Sequence, residues 1–497
     1  MPNLLRARTP RSSRRVTASR LLRLGAVIAT LVAAPAALSA TALPAPLAAA
    51  LKRHGLSADG MSLYVQEIGR DEPLLAVGAD VPRNPASSLK LLTTLVALEE
   101  LGPAYSWRTE AYTRGRWDGE RLDGDLYLKG YGDPYLVLEN FWRFLRALRQ
   151  QGLTTVDGDL VLDQSYFAVE DEDPAEFDGR PNRVYNVLPR ALLVNFQAVH
   201  LRFLPGASGL RVVADPPVPL ENRIRLLPDP CRGWADGWAM RVRAEKGGAA
   251  RLVFDGKYRA DCGERELFRV VDDGPAYVHG VFSALWREQG GTLTGGVREA
   301  TVPTGTEPFY SWNSPPLADV IRSINKYSNN VMTRQLLLTL GAERLGAPGT
   351  TEKGTRVVQA WLERQGLSFP ELVLDNGAGL SREARISARH LAQVLLAAYR
   401  SAYMPEFISA LPVSALDGTL KDRFGGTLAG RLHLKTGSLN GVRSLAGYML
   451  NAAGRRVIVV YLHNHPRANS AAAEAVQRDL LEWVYSQGQT TVAVSGP

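Results

Sequence analysis

The chain has 497 residues, of which 45% are hydrophobic and 22% charged, the composition of an ordinary globular protein long enough for two or three domains. Its formal charge of +8 is unevenly placed: residues 1–42 carry seven arginines (Arg6, Arg8, Arg11, Arg14, Arg15, Arg20 and Arg23) and no Lys, Asp or Glu. Removing those seven leaves about +1 for the rest, so the body lacks the basic surface that nucleic-acid binding requires.

In chain order, the arginine-rich start runs into LGAVIATLVAAPAALSATA, an apolar stretch that ends on Ala40-Thr41-Ala42. Basic region, apolar region and small-residue exit together read as a secretory signal peptide over 1–42. An uncleaved membrane anchor is the alternative, but the run is short and alanine-rich for a full span. Arg14-Arg15 is not followed by the bulky apolar pair of a twin-arginine signal. A helical pattern covers 46–56, and MSLYVQEIG (61–69) and PLLAVGAD (73–80) read as paired strands.

NPASSLKLLTTLVALEELGP (84–103) reads as a buried helix stopped by Gly102-Pro103. From 104 to 285 the texture changes to short alternating stretches rich in Gly, Pro and Asp, a strand-rich insertion holding one amphipathic helix, ENFWRFLRALRQQG. Its Cys231 and Cys262 are the only cysteines in the chain. In an exported protein they are expected to form one disulfide, and the absence of histidines at metal-site spacing argues against bound zinc. Helices return after 286, followed by three strands, RLHLKTG, RSLAGYML and RRVIVVYLHNH, and a last helix. Strands near both termini with helices between suggest one α/β domain built from 43–103 and 286–497 and interrupted by 104–285.

The chemistry starts at Ser87 and Lys90. A serine hydroxyl needs a base before it attacks. Residues i and i+3 share a helix face, whereas Ser88, two residues from Lys90, points elsewhere. Burial would lower the lysine pKa and fit Lys90 for that task. Alone, the Ser-x-x-Lys pattern is weak, since Ser323–Lys326 repeats it. Lys435-Thr436-Gly437 places a cation, a hydroxyl and a close-approach glycine on a strand edge suited to a substrate carboxylate. Ser-x-Asn occurs at Ser311–Asn313, Ser323–Asn325, Ser328–Asn330 and Ser438–Asn440. Ser328–Asn330 is preferred because it sits at a corner between two helices. His463-Asn-His465 reads as a loop after a strand rather than half a metal site, and no Ser-His-Asp triad is supported.

Ser-x-x-Lys, Ser-x-Asn and Lys-Thr-Gly in this order are the set found in penicillin-binding proteins and serine β-lactamases. Over nearly the whole mature chain the sequence resembles the D-alanyl-D-alanine carboxypeptidase/endopeptidase family of class C low-molecular-mass penicillin-binding proteins (peptidase family S13). PASSLK, YSNNVMTRQLLLTLG, DNGAGLSREARISARHL and HLKTGSLNGVRSLAGY carry the resemblance, with LYLKGYGDPYL in the insert. It implies an α+β fold of the serine β-lactamase/transpeptidase type: an antiparallel sheet with flanking helices and a large insertion. It also implies Ser87 as nucleophile, Lys90 as base, Ser328 as proton relay and Asn330 on the substrate amide. Lys435 and Thr436 would bind the terminal carboxylate, and the N–H groups of Ser87 and Ser438 would form the oxyanion hole.

The implied ligands are peptidoglycan stem peptides and β-lactams, with no cofactor or metal, no nucleic acid, and peripheral contact with cell wall or membrane left open. The implied location is the periplasm or another exported compartment. Asn376 and Ala378 stand where the family often has Asp and Ser, and Tyr131 replaces a Gly. A β-lactamase or esterase of the same fold, or a catalytically idle wall-binding scaffold, are the rival readings. The large insert argues against a compact β-lactamase and the intact motif set against the scaffold.

Overall fold

A computed structural model describes residues 42–169, 172–244, 250–271 and 274–487. The expected signal peptide therefore lies outside the described residues, except for Ala42. Among the described residues no helix is long and apolar enough to cross a membrane.

The two ends of the chain build one sheet. Its five strands run in the order Leu432–Leu439, Val442–Leu450, Arg456–Asn464, Met61–Glu67, Leu75–Val77. All four pairings are antiparallel; Met61 lies opposite His463, and Lys435 opposite Ala446. Every residue of Met61–Glu67 is buried, because side chains alternate between two covered faces. Leu63, Val65, Val457, Val459 and Tyr461 pack with the helices Ala45–Arg53 and Ala471–Ser486. Tyr64, Ile458, Val460 and Leu462 face the other helices. This two-sided burial explains why the strands read as near-continuous apolar runs.

At the centre of that second layer is the helix Lys90–Leu101, buried continuously from Lys90 to Leu98. The helices Leu317–Tyr327, Asn330–Leu345, Thr351–Arg364 and Ala388–Arg400 surround it. A helix that is apolar all round belongs in such a position. Gly102, at φ 81°, ends it.

The inserted segment runs further than the expected 104–285. The strand Tyr310–Asn313 pairs antiparallel with Arg108–Ala111 and closes the segment where it opened. Thr292–Leu293 and Val297–Glu299 add to the same seven-stranded sheet. Strands of two and three residues are too short to show alternation, which hid the far limit of the insert. Two three-stranded sheets complete the insert, centred on Ala198–Gly206 and Ala250–Arg259. Cys231 and Cys262 are joined as a disulfide across 31 residues. His463 lies within the strand Arg456–Asn464, not in the expected loop, because its fully buried ring packs inside the sheet.

Candidate active site

Ser87 sits on a tight turn, the 3-10 segment Ala86–Leu89 that leads directly into Lys90–Leu101. Its entry is strained, since Ala86 has φ 45°, a left-handed conformation that costs a residue with a Cβ about 1 kcal/mol or more. Asn84 holds the strain in place. Its Oδ1 accepts from the Ala86 N–H at 2.9 Å, and its Nδ2 donates to the Ser381 carbonyl at 2.8 Å. Asn464 clamps the Asn84 backbone from both sides, at 2.7 and 3.0 Å. Gly379 comes so near that a Cβ there would lie 1.9 Å from the Ala86 oxygen.

The two adjacent serines separate completely. Ser88 is fully buried, and its Oγ meets Ser444 Oγ at 2.8 Å. Ser444 in turn donates to the Pro85 carbonyl at 2.6 Å. Ser88 thus ties the turn to the sheet, while Ser87 is partly exposed and faces Lys90. A Ser87 Oγ–Lys90 Nζ distance of 3.1 Å joins the two. The residues lie one turn of 3-10 helix apart, where i and i+3 eclipse.

Lys90 is wholly buried, and its Nζ also donates to Asn330 Oδ1 at 2.6 Å and to the Ala378 carbonyl at 2.5 Å. Those two acceptors use both N–H bonds of a neutral amine, so its lone pair is left for the Ser87 O–H. Among the described residues no carboxylate pairs with Lys90. Burial, and then the charge of Lys435, push its pKa well below the usual lysine range. Lys435 is also fully buried, and burial lowers it to about 7. Two unpaired cations are not both tolerated in so dry a site. The charge of Lys435 thus adds to burial in lowering Lys90.

Ser328 breaks the path between two helices in a left-handed conformation, φ 59° and ψ 39°. The next residue, Asn329, caps the second helix through its side chain, accepting from the Met332 N–H at 3.0 Å. That frees Ser328 and Asn330 to face the lysines. Lys435 Nζ donates to Ser328 Oγ and to the Thr436 carbonyl, both at 2.8 Å. The structure therefore forms two hydrogen-bonded groups, Ser87 with Lys90 and Asn330, and Ser328 with Lys435 and Thr436, and the charge of Lys435 acts on Lys90.

Gly437 and Ser438 continue the Lys435 strand past the nucleophile. A Cβ on Gly437 would lie 2.2 Å from Ser444 Oγ and 2.9 Å from the Ser87 nitrogen. Only glycine allows this approach. Ser438 is exposed, and its Oγ accepts from Asn469 Nδ2 at 3.0 Å. The disulfide cysteines belong to the insert and take no part in this cluster.

Sequence reasoning missed two contributors. One is the Ala378 carbonyl, a backbone group to which residue identity gives no clue. It also explains why Ala in place of the family's Ser leaves the contact intact, while Asn376 accepts from the Ala378 N–H at 3.0 Å. The other is Thr419, whose Oγ1 lies 2.8 Å from Thr436 Oγ1. Its loop is held by Asp417, which accepts from Lys326 Nζ at 2.6 Å. That ion pair also removes Ser323–Lys326 from consideration, since its lysine turns away to Asp417. Tyr131, the other departure, donates to Glu110 at 2.6 Å within the insert. Among the described residues no three His, Cys, Asp or Glu side chains lie together as a metal site.

Residues 43–486 match the model of a family described as D-Ala-D-Ala carboxypeptidase 3 (S13). A D-alanyl-D-alanine carboxypeptidase of Actinomadura sp. (strain R39) is 29% identical over 459 residues, covering 87% of this chain and 81% of the relative. A D-alanyl-D-alanine carboxypeptidase DacB of Haemophilus influenzae is 26% identical, covering 76% and 80%. The crystal structure of penicillin binding protein 4 (dacB) from Haemophilus influenzae superimposes with a TM-score of 0.74 at 22% identity, covering 88% of this chain and 99% of that one. A predatory peptidoglycan endopeptidase from Bdellovibrio bacteriovorus shares the fold at a TM-score of 0.53 and 14% identity, covering 86% and 92%.

Proposed function

The chain belongs to the D-Ala-D-Ala carboxypeptidase 3 (S13) family, and from that premise we propose how its residues carry out the reaction. The protein is a penicillin-sensitive serine carboxypeptidase acting on the D-Ala–D-Ala ends of peptidoglycan stem peptides. Ser87 Oγ attacks the carbonyl carbon of the D-Ala–D-X bond while its proton passes to neutral Lys90. The N–H groups of Ser87 and Ser438 receive the developing oxyanion.

As the C–N bond breaks, the proton reaches the leaving amine through Ser328, which Lys435 holds in place. The free D-amino acid departs and an ester on Ser87 remains. Water then attacks that ester, gives its proton back along the same path, and frees Ser87. Asn330 fixes the substrate amide. Charged Lys435, with Thr436 and its neighbour Thr419, holds the terminal carboxylate. A β-lactam enters the same attack, but its ring opens without releasing a leaving amine, so the acyl-enzyme persists. Cleavage of a crosslink uses the same bond with a larger leaving amine. The basic and apolar leader over 1–42 supports export to the periplasm or an equivalent compartment.

The observation that carries this reading is the buried Lys90, whose Nζ lies within hydrogen-bond reach of Ser87 Oγ, Asn330 Oδ1 and the Ala378 carbonyl. The test is D-Ala release from a D-Ala–D-Ala peptide, measured with fluorescent penicillin binding on the same preparations. Wild type releases D-Ala and retains the label, and Ser87→Ala does neither. Rapid penicillin turnover without D-Ala release would establish a β-lactamase instead.

A further inference from the structure

The insert holds a groove of about 700 Å3 away from the acylation cluster. Trp234, Trp238, Met240, Asn182, Arg183 and Arg269 are among the residues that line it. The rings of Trp234 and Trp238 are 5.8 Å apart, and Trp238 is backed by Phe203 at 4.6 Å. The Trp234 segment is pinned near its start by the Cys231–Cys262 disulfide.

The two arginines are the unusual feature. Their charges repel, and the charge of Arg183 adds to burial in lowering the pKa of Arg269. Among the described residues neither guanidinium pairs with a carboxylate, although nearby acids exist. Asp178 is engaged by Tyr185 and Asn186 at 2.7 and 2.8 Å, and Glu266 by His200 at 3.3 Å. Two like charges lining one concave, partly apolar groove, with no carboxylate among the described residues between them, suit an anionic ligand.

The groove is also joined to the catalytic region. Phe177 lies under the Arg382 guanidinium at 4.8 Å and packs with Ala86, Leu439 and Val442 beside the nucleophile turn. Asn182 and Arg183 of the groove follow on the same loop. Asn182 lies five positions after Phe177, so the two are at most about 18 Å apart. A stem peptide in the acylation site would thus have its attached polymer within reach of the groove.

We propose that this groove binds an acid-bearing glycan chain, with pyranose rings against the two tryptophans and a carboxylate on the Arg183–Arg269 pair. The C–H faces of a pyranose are flat and apolar and cover an indole well, while paired guanidiniums suit a carboxylate. The inference rests on the peptidoglycan reading and extends it: the insert holds the polymer while Ser87 works on its peptide. The carboxylate comes either from the lactyl group of peptide-free strands or from stem peptides.

The test measures binding of purified enzyme to soluble glycan strands by tryptophan fluorescence. One arm uses peptide-free strands, another strands bearing tripeptides that lack D-Ala, and a third neutral N-acetylglucosamine hexamers. The variants are Arg183→Gln/Arg269→Gln and, separately, Trp234→Ala. Wild type is expected to bind at least one acid-bearing strand and to prefer it to the hexamer. Each variant is expected to weaken that binding about tenfold or more, and whichever arm binds identifies the carboxylate. Penicillin labelling and D-Ala release from a short soluble peptide stay within about twofold of wild type in both variants, which shows that they fold. No binding by wild type, equal binding of the neutral hexamer, or full binding by both variants would overturn the proposal. So would adsorption to phosphatidylglycerol vesicles in place of strands. Failure of wild type to label with penicillin would overturn the carboxypeptidase reading instead, whatever the glycan result.

Discussion

At the residue scale, neighbouring serines have different surroundings because a 3-10 turn points one at Lys90 and the other at Ser444. Ser88→Ala removes a buried hydroxyl bonded to Ser444 and the expected cost is about 1 kcal/mol of stability. Labelling by fluorescent penicillin should survive it, whereas Ser87→Ala abolishes labelling with little change in melting temperature. The two lysines set the pH response. Lys435 is lowered to about 7 by burial, so it is charged below that pH and neutral above it. On the proposed mechanism, its grip on a substrate carboxylate is full on the acid side and fades as pH rises through about 7. KM for a D-Ala–D-Ala peptide should rise over that interval, and KM for the C-terminally amidated peptide should not. A KM with the same pH slope for both would show that Lys435 does not meet the carboxylate. Lys90 acts in the opposite sense, since it must be neutral to work: acylation falls at the acid end as it gains its proton.

At the scale of elements, the site depends on a strand passing very close to a strained turn. Gly437→Ala would place a methyl 2.2 Å from Ser444 Oγ and 2.8 Å from the Pro85 carbonyl. It should push the strand away from Ser87 and lower kcat/KM for acylation by about 100-fold or more, as misplacement by about 1 Å does. Asn84→Ala removes the bonds that hold Ala86 at positive φ. The expected result is a loss of about 1–3 kcal/mol and slower acylation, measured by thermal unfolding and by the second-order rate with penicillin. Much of this arrangement was legible in the sequence. The apolar run after Lys90 marked a helix buried all round, and Tyr327-Ser-Asn-Asn marked a corner between helices. The Ala378 carbonyl was not legible, because a backbone acceptor brought in from a distant loop has no residue signature. Thr419 was not legible either, because only the fold brings it beside Thr436.

At the scale of the whole molecule, the chain spends its two ends on one sheet and the segment between on a separate group of sheets. Strand-like runs near both termini revealed the first of these, since such apolar strands must find one another to be covered. The far limit of the insert was hidden, because Thr292–Leu293 and Val297–Glu299 are too short to show a period, and Tyr310–Asn313 is recognised only by its pairing with Arg108–Ala111. The disulfide belongs wholly to that insert. Closing 31 residues stabilises it by about 3–4 kcal/mol in the chain-entropy account. A Cys231→Ser/Cys262→Ser variant should lose thermal stability by roughly that amount while retaining its rate of penicillin acylation. A parallel loss of acylation at temperatures where the variant remains folded would tie the insert's integrity to the catalytic cluster.

The central claim is that Ser87, activated by a neutral Lys90, is the residue acylated. Trypsin cleavage after Arg83 and Lys90 isolates residues 84–90, so the most direct measurement is fragmentation mass spectrometry of that peptide after reaction with penicillin. The account predicts a penicilloyl mass on Ser87 and none on Ser88, with no adduct on the longer peptide 84–108 that trypsin releases when Lys90 is replaced by Met. An adduct on Ser88 or Ser323, or undiminished acylation of the Lys90→Met protein, would contradict it.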